Sequence, residues 1–254
     1  MWGILRISKK QSFVDSGRGR MNSEQTFDQV ANRYEAALND ALSVSGETNE
    51  FFARCRVQWM ALRLKDLDER PQSVLDFGCG VGGTTPLFRE ILGVDTVTGV
   101  DVSGYSIMRA RERFGSERDS FGLLDEHAPT GAMDLAYCNG VFHHIPPEER
   151  SRAAEYVFRS LRSGGLFAFW ENNSGNPATR YVMSRCQFDT DAIPLKPDEA
   201  RGLLTNAGFS ILRTDFRFIF PRQLSWLRVL EPALAKYPLG TQYMILCRKP
   251  GRVG

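Results

Sequence analysis

Along the chain, segments whose apolar residues have the spacing of a β-strand alternate with segments that have the spacing of an α-helix. This alternation predicts the fold class. Strands are predicted near residues 73–77, 96–100, 119–123, 134–138 and 165–170, with helices near 84–91, 104–113 and 147–161 between them. Strands that alternate with helices are typical of an open α/β sheet with parallel inner strands. Two more strands are predicted at 209–220 and 242–247, after a helix from Pro197 to Asn206 that Gly208 ends.

Two details of this pattern concern the middle of the chain. The pair Gly164–Gly165 is expected to end the helix predicted near 147–161, because glycine tolerates the backbone conformation found at helix ends. The stretch from Asn172 to Pro194, after the fifth strand, is predicted to be irregular.

Helices are also predicted ahead of the first strand. Residues 23–42 carry Phe27, Val30, Tyr34, Ala37, Leu38 and Leu42 at helical spacing. A second helix is predicted from Asn49 to Leu67, ending before Pro71. We expect one globular domain over residues 23–250, in which residues 23–70 form a helical lid, and a disordered tail over residues 1–22.

A glycine-rich turn with two acids nearby follows the first predicted strand. The segment Asp76-Phe-Gly-Cys-Gly-Val-Gly-Gly83 allows a sharp turn and a close approach of the backbone to a ligand. The next strand, Thr98-Gly-Val-Asp101, ends in an acid at the position where open α/β sheets hydrogen-bond a ribose. The chain is therefore predicted to bind a nucleoside-containing cofactor.

The glycines alone leave two cofactors open. Their spacing, Gly78-x-Gly80-x-x-Gly83, also fits the NAD fingerprint. Asp76 discriminates between the two, because its carboxylate would repel a pyrophosphate. S-adenosylmethionine has no phosphate and carries an ammonium group and a cationic sulfur. The residues favour S-adenosylmethionine and leave an NAD-dependent oxidoreductase as the alternative.

An acid followed by x-Gly-x-Gly-x-Gly resembles the motif of the class I S-adenosylmethionine-dependent methyltransferases, and the resemblance covers roughly residues 25–248. It implies a Rossmann-like sheet, mostly parallel with an antiparallel last strand and preceded by N-terminal helices, and S-adenosylmethionine as cofactor. The cofactor-binding residues that it implies are Asp76, Gly78, Cys79 and Gly80 at the turn, Asp101 on the ribose hydroxyls, Val102 beside the adenine, Asp125 near the adenine amino group, and Asn139 after the fourth strand.

Two histidines, His143 and His144, follow the fourth predicted strand at the edge where ligands bind in such sheets. A hydroxyl acceptor needs a base for methyl transfer, and histidine has the best-matched pKa. Both are candidate catalytic bases, with shaping of the cofactor pocket as the alternative role. We expect no metal site, because adjacent histidines do not converge on one ion.

Other polar and thiol groups near this edge have two interpretations each. Glu171, Asn172, Arg180, Tyr181 and Arg185 either recognise a polar substrate or form a solvated loop. The five cysteines form no C-x-x-C pair, so free thiols are expected. Cys79 and Cys138 are interpreted as small packing residues rather than nucleophiles.

Composition and charge narrow the functional classes. No apolar run approaches the roughly 20 residues needed to cross a bilayer, so no membrane partner and a cytoplasmic location are expected. Five basic residues and one acid lie in residues 1–20, which leaves a formal charge of −2 on the rest and no expected nucleic-acid partner. The predicted function is methyl transfer to a small molecule, with a hydroxyl oxygen favoured. A non-catalytic adenosylmethionine-binding protein is a further alternative.

Overall fold

A computed structural model describes residues 45–185 and 192–251 of the chain. Seven strands are present in it: β1 Ser73–Phe77, β2 Thr96–Asp101, β3 Asp119–Leu123, β4 Met133–Asn139, β5 Leu161–Asn172, β6 Ser210–Arg217 and β7 Gln242–Arg248. The α-helices are α1 Asn49–Asp66, α2 Thr85–Leu87, α3 Gly104–Phe114, α4 Arg150–Ser160, α5 Pro177–Arg185, α6 Pro197–Asn206 and α7 Glu231–Leu234. Short 3-10 turns cover Phe142–His144, Pro147–Glu149 and Arg222–Leu230.

The seven strands form one sheet in the order β3-β2-β1-β4-β5-β7-β6. Strands β1 to β5 pair in parallel, whereas β7 runs antiparallel to both β5 and β6. The residues from Tyr243 to Cys247 are buried, as a strand with neighbours on both sides requires. The expected α/β class, with its mostly parallel sheet and antiparallel last strand, is confirmed.

Helices cover both faces of the sheet. Side chains of α1, including Val57, Met60 and Leu64, pack on one face with Phe88 and Tyr137. On the other face, α4 and α6 pack against the phenylalanines of β5. The carboxyl ends of the five parallel strands therefore meet along one edge between the two helical layers, which is where ligands bind in open α/β sheets.

Two predictions about local structure need correction. Helix α4 ends at Ser160, and Gly164–Gly165 instead lies inside β5, where the register to β4 shifts between Met133 and Leu135. Gly164 has φ +78°, so the pair serves a bulge in the strand rather than a helix end. The stretch predicted to be irregular contains helix α5. Helix α2 continues into a wider π-helical segment, Phe88–Leu92.

Several expectations fall on the N-terminal part of the chain. The tail over residues 1–22 and the helix over residues 23–42 lie outside the described residues, so the lid is described only from Ser45 onward. Helix α1 matches the second predicted helix to within one residue. Among the described helices, none has the length and apolar character needed to span a membrane.

Candidate cofactor pocket and active site

The glycine-rich turn after β1 is held close to β2 and to the segment after β4. Gly78 and Cys79 both donate their backbone N–H to the carbonyl of Val100, at 2.8 and 3.1 Å. Gly78 has φ +74°, and a Cβ atom there would lie 2.3 Å from Cγ2 of Val141. Glycine is therefore required for both the conformation and the space. Cβ atoms added at Gly80 and Gly83 would meet no described atom within 4 Å, so this part of the turn has room for a ligand.

Asp76 lies at the carboxyl end of β1 and is only 3% exposed. Its Oδ2 atom has no hydrogen-bond partner among the described residues. Burial, followed by the charge of Asp101, raises the pKa of Asp76 from 3.8 to about 7. A buried carboxylate without a partner is costly, so this oxygen fits a ligand that brings a positive charge or a hydrogen-bond donor.

Asp101 ends β2 and is linked to the glycine turn. Its Oδ2 accepts the N–H of Gly80 at 2.9 Å, and its Oδ1 accepts the N–H of Ser103 at 2.8 Å. Burial raises the pKa of Asp101, and these backbone hydrogen bonds partly offset the effect. Each carboxylate oxygen has a second lone pair, so Asp101 can still accept hydrogen bonds from two ribose hydroxyls.

The remaining predicted cofactor residues surround the same edge. Val102 is 44% exposed, so its apolar side chain is accessible to a flat apolar ligand. Asp125 is exposed in the turn after β3. Asn139 ends β4, and its buried Oδ1 has no hydrogen-bond partner among the described residues. The structure thus brings Asp76, Asp101 and Asn139 to the ends of neighbouring strands.

The two cysteines at this edge behave as packing residues. Cys79 and Cys138 are both buried. Burial is the main cause that raises the pKa of each thiol above its ordinary value. Since the thiolate is the reactive form of cysteine, neither side chain is suited to act as a nucleophile.

His143 is buried against Glu171 at the end of β5. The two side chains meet at 2.6 Å, between Nδ1 of the imidazole and Oε2 of the carboxylate. Glu171 also accepts backbone N–H groups of Phe142, His143 and Asn172. Burial by itself raises the pKa of Glu171, but the charge of His143 and these hydrogen bonds hold that pKa below its ordinary value. An ionised carboxylate at Nδ1 therefore fixes the orientation of the imidazole ring.

His144 lies beside His143, with ring centroids 4.1 Å apart, and is half-buried. Among the polar residues after β5, Arg185 donates to the hydroxyl of Tyr181 at 2.9 Å, and this pair lies on helix α5. Asn172, half-buried at the end of β5, accepts a hydrogen bond from Gln242 at 3.0 Å. The side chain of Glu171 therefore pairs with His143, whereas the side chains of Asn172 and Tyr181 have other partners.

The sequence interpretation missed how Glu171 is used. A signal was present, because this acid ends a long apolar strand and so was placed to be buried. The partner, His143, is 28 residues away in the chain, and only the parallel pairing of β4 with β5 brings the two together. Among the described residues, no group of histidine, cysteine or acidic side chains has the arrangement of a metal site.

Comparison with known proteins agrees with this geometry. The chain is 27% identical over 119 residues to a trans-aconitate 2-methyltransferase of Rhodopseudomonas palustris (strain BisB5), covering 47% of this chain and 46% of the relative. It is 30% identical over 169 residues to the sterol 24-C-methyltransferase of Aspergillus fumigatus, covering 60% and 44%. The chain thus spans less than half the length of these curated relatives.

A solved structure shares the fold. Human N-acetylserotonin methyltransferase, in complex with S-adenosylmethionine, superposes with a TM-score of 0.58 at 19% identity, covering 88% of this chain and 59% of that one. Residues 74–165, which contain the glycine turn, Asp101 and both histidines, match a family model described as a methyltransferase domain. Over these residues and in its fold, the chain is therefore similar to the class I S-adenosylmethionine-dependent methyltransferases.

Proposed function

We propose that this protein is an S-adenosylmethionine-dependent methyltransferase that binds its cofactor at the carboxyl edge of β1, β2 and β4. The observation that carries the proposal is the buried Oδ2 of Asp76, which has no partner among the described residues and lies beside a turn of positive-φ glycines. When bound, S-adenosylmethionine supplies a methyl group on a cationic sulfur. The ammonium group of its methionine portion is a suitable partner for the Asp76 carboxylate.

The other predicted residues have roles that fit their positions. Asp101 would accept the ribose hydroxyls through its remaining lone pairs, and the exposed face of Val102 would contact the adenine. Asp125 would accept from the adenine amino group. The Oδ1 of Asn139 would accept a donor of the cofactor and so gain the hydrogen bond that it lacks among the described residues. The family match favours this cofactor over NAD, which the glycine spacing alone had left open.

For the acceptor, we propose a small molecule that is methylated at a hydroxyl oxygen. The support is the His143–Glu171 pair, because a base oriented by a carboxylate is what removal of a hydroxyl proton requires. His144 remains the second candidate for this role. The relatives are named for methylation of trans-aconitate, a small organic acid, and of carbon 24 of a sterol. The experiment must therefore distinguish methylation of a hydroxyl oxygen from methylation of other acceptor atoms.

The test combines binding with product analysis. Titration calorimetry of the full chain should show binding of S-adenosylhomocysteine and none of NAD. Incubation with methyl-labelled S-adenosylmethionine and a library of small hydroxylated compounds should then yield a product whose label sits on oxygen. Preferred binding of NAD would overturn the cofactor assignment. Tight cofactor binding with no turnover on any acceptor would support a non-catalytic adenosylmethionine-binding protein instead.

A further inference from the structure

A buried guanidinium without an acidic partner lies next to this pocket. Arg56 projects from α1 and is only 5% exposed. Its hydrogen bonds go to two neutral oxygens, the hydroxyl of Tyr137 at 3.2 Å and Oε1 of Gln242 at 3.1 Å. Among the described residues, no carboxylate lies within ion-pair distance of it. A buried charge is normally paired, so this arrangement favours an anion as the missing partner.

Two further donors on the same face of the sheet lack acceptors. The indole Nε1 of Trp170 is buried and has no hydrogen-bond partner among the described residues. Tyr137 receives the hydrogen bond from Arg56, and its own hydroxyl proton is donated to no described residue. Tyr137 lies on β4, Trp170 on β5 and Gln242 on β7, which are consecutive strands of the sheet. Trp170 therefore lies on the strand between the two partners of Arg56.

The electrostatic coupling of Tyr137 connects this cluster with the cofactor pocket. Burial raises the pKa of Tyr137 to about 12, the Arg56 charge lowers it, and the Asp76 charge raises it. The Tyr137 side chain thus lies within the influence of both the Asp76 carboxyl group and the Arg56 guanidinium. On the far side, Gln242 donates to the half-buried Asn172, which forms the rim of the cluster.

We propose that Arg56, Trp170 and Tyr137 bind a carboxylate group of the methyl acceptor, so that the substrate is a small organic acid with a methylatable group. This inference rests on the proposed function. A carboxylate of the cofactor itself is the competing source. Trp170 lies on β5, two strand spacings or about 10 Å from β1, on the side of the sheet away from the β2 acid that faces the ribose, which favours the acceptor side. Arginine suits this role, because its planar fork matches a carboxylate.

The experiment titrates the S-adenosylhomocysteine-saturated full chain with a panel of small carboxylic acids that includes trans-aconitate, each paired with its neutral primary amide. At least one acid should bind ten-fold or more tightly than its amide. Arg56→Gln should weaken the acid 10- to 100-fold and change the affinity for S-adenosylhomocysteine by less than two-fold. Arg54→Gln is the matched control, because Arg54 lies on the same helix in an exposed ion pair with Glu90. It should leave both affinities within two-fold of wild type.

Thermal melting will show whether Arg56→Gln folds. A second variant tests the same site if it does not. Trp170→Phe keeps a buried aromatic ring but removes the pyrrole part of the indole with its N–H, and it should weaken the acid three- to ten-fold. If Arg56→Gln weakens S-adenosylhomocysteine ten-fold and spares the acid, the guanidinium holds the cofactor and the proposal is wrong. The proposal also fails if no acid binds better than its amide. Failure of wild type to bind S-adenosylhomocysteine would instead refute the proposed function, while Arg56-dependent acid binding would still support this site.

Discussion

Asp76 and Glu171 are two buried acids at the same edge of the sheet, and their surroundings are opposite. Asp76 lies near the end of β1, is 3% exposed and has an oxygen without a partner among the described residues, and its pKa is raised to about 7. Glu171 lies near the end of β5, is 1% exposed and accepts four hydrogen bonds, and its pKa is lowered. Burial is nearly equal, so the donors around each acid decide its charge.

This difference separates two kinds of functional residue. The Glu171 carboxylate is stabilised from within the protein and keeps a histidine in place. The ionised form of Asp76 is disfavoured by burial and by the charge of Asp101, and under the proposed function the cofactor supplies its partner. Paired carboxyl groups whose surroundings move their pKa values apart are typical of sites with divided roles. The following predictions test that division, beginning with the largest expected effect.

Removing the histidine held by Glu171 should affect turnover and not cofactor binding. For His143→Ala we expect kcat to fall 10²- to 10⁴-fold, because a positioned base contributes about that much, with S-adenosylhomocysteine affinity within three-fold of wild type. Steady-state kinetics and calorimetry measure the two quantities. Glu171→Gln should lower kcat by a smaller factor than His143→Ala does. It should also shift the acidic limb of the pH–rate profile to lower pH, because the carboxylate raises the basicity of the imidazole ring. His144→Ala is the control, and a larger loss there would transfer the base role to His144.

Removing the charge of Asp76 should weaken cofactor binding while stabilising the ligand-free protein. Asp76→Asn should lower S-adenosylhomocysteine affinity 10- to 100-fold. At pH 8 it should raise the free energy of unfolding by about 1–3 kcal/mol, since it removes an unpaired buried charge but leaves a buried amide. Calorimetry and urea denaturation at matched pH provide both numbers. A variant that is less stable than wild type would show that the Asp76 charge is already compensated.

The pH dependence of wild type should show the same division. Because the folded-state pKa of Asp76 is raised from 3.8 to about 7, the ligand-free protein should lose stability as pH rises between those values. Affinity for S-adenosylhomocysteine should instead rise with pH, because the ligand binds the ionised Asp76 better than the protonated form. Below about pH 7 the affinity should fall by up to ten-fold for each unit by which the pH is lowered. Calorimetry from pH 5.5 to 8.5 measures this slope. Asp76→Asn should flatten it, and an equally steep slope in that variant would assign the titration to another group.

An exposed acid should contribute least. Asp125 is exposed in the turn after β3, so water competes for any hydrogen bond that it makes. Asp125→Asn should weaken S-adenosylhomocysteine by about two- to five-fold and leave unfolding unchanged. The same calorimetry and urea titrations apply. A ten-fold loss would mean that the adenine end is bound as strongly as the methionine end.

Most of the fold could be predicted from the chain alone. Local periodicity and turn residues predicted all seven strands, and helix α6 to the residue, because these features depend on neighbours within a few positions. The errors arose where tertiary pairing overrides local preference. Gly164–Gly165 has the residues of a helix end, but the pairing of β5 with β4 places it in a bulge. Helix α5 follows a polar, glycine-containing stretch that has no clear periodicity.

The candidate site divides in the same way. The sequence by itself determined the glycine turn and the strand-end acids, because a single chain segment specifies the backbone conformation that those residues need. Only the tertiary structure decided which acid has partners and which does not. Hydrogen bonds and desolvation depend on groups that are distant in the chain. Glu171 on β5 contacts His143, which follows the neighbouring strand β4. Arg56, on a helix packed over the sheet, donates to Tyr137 and Gln242.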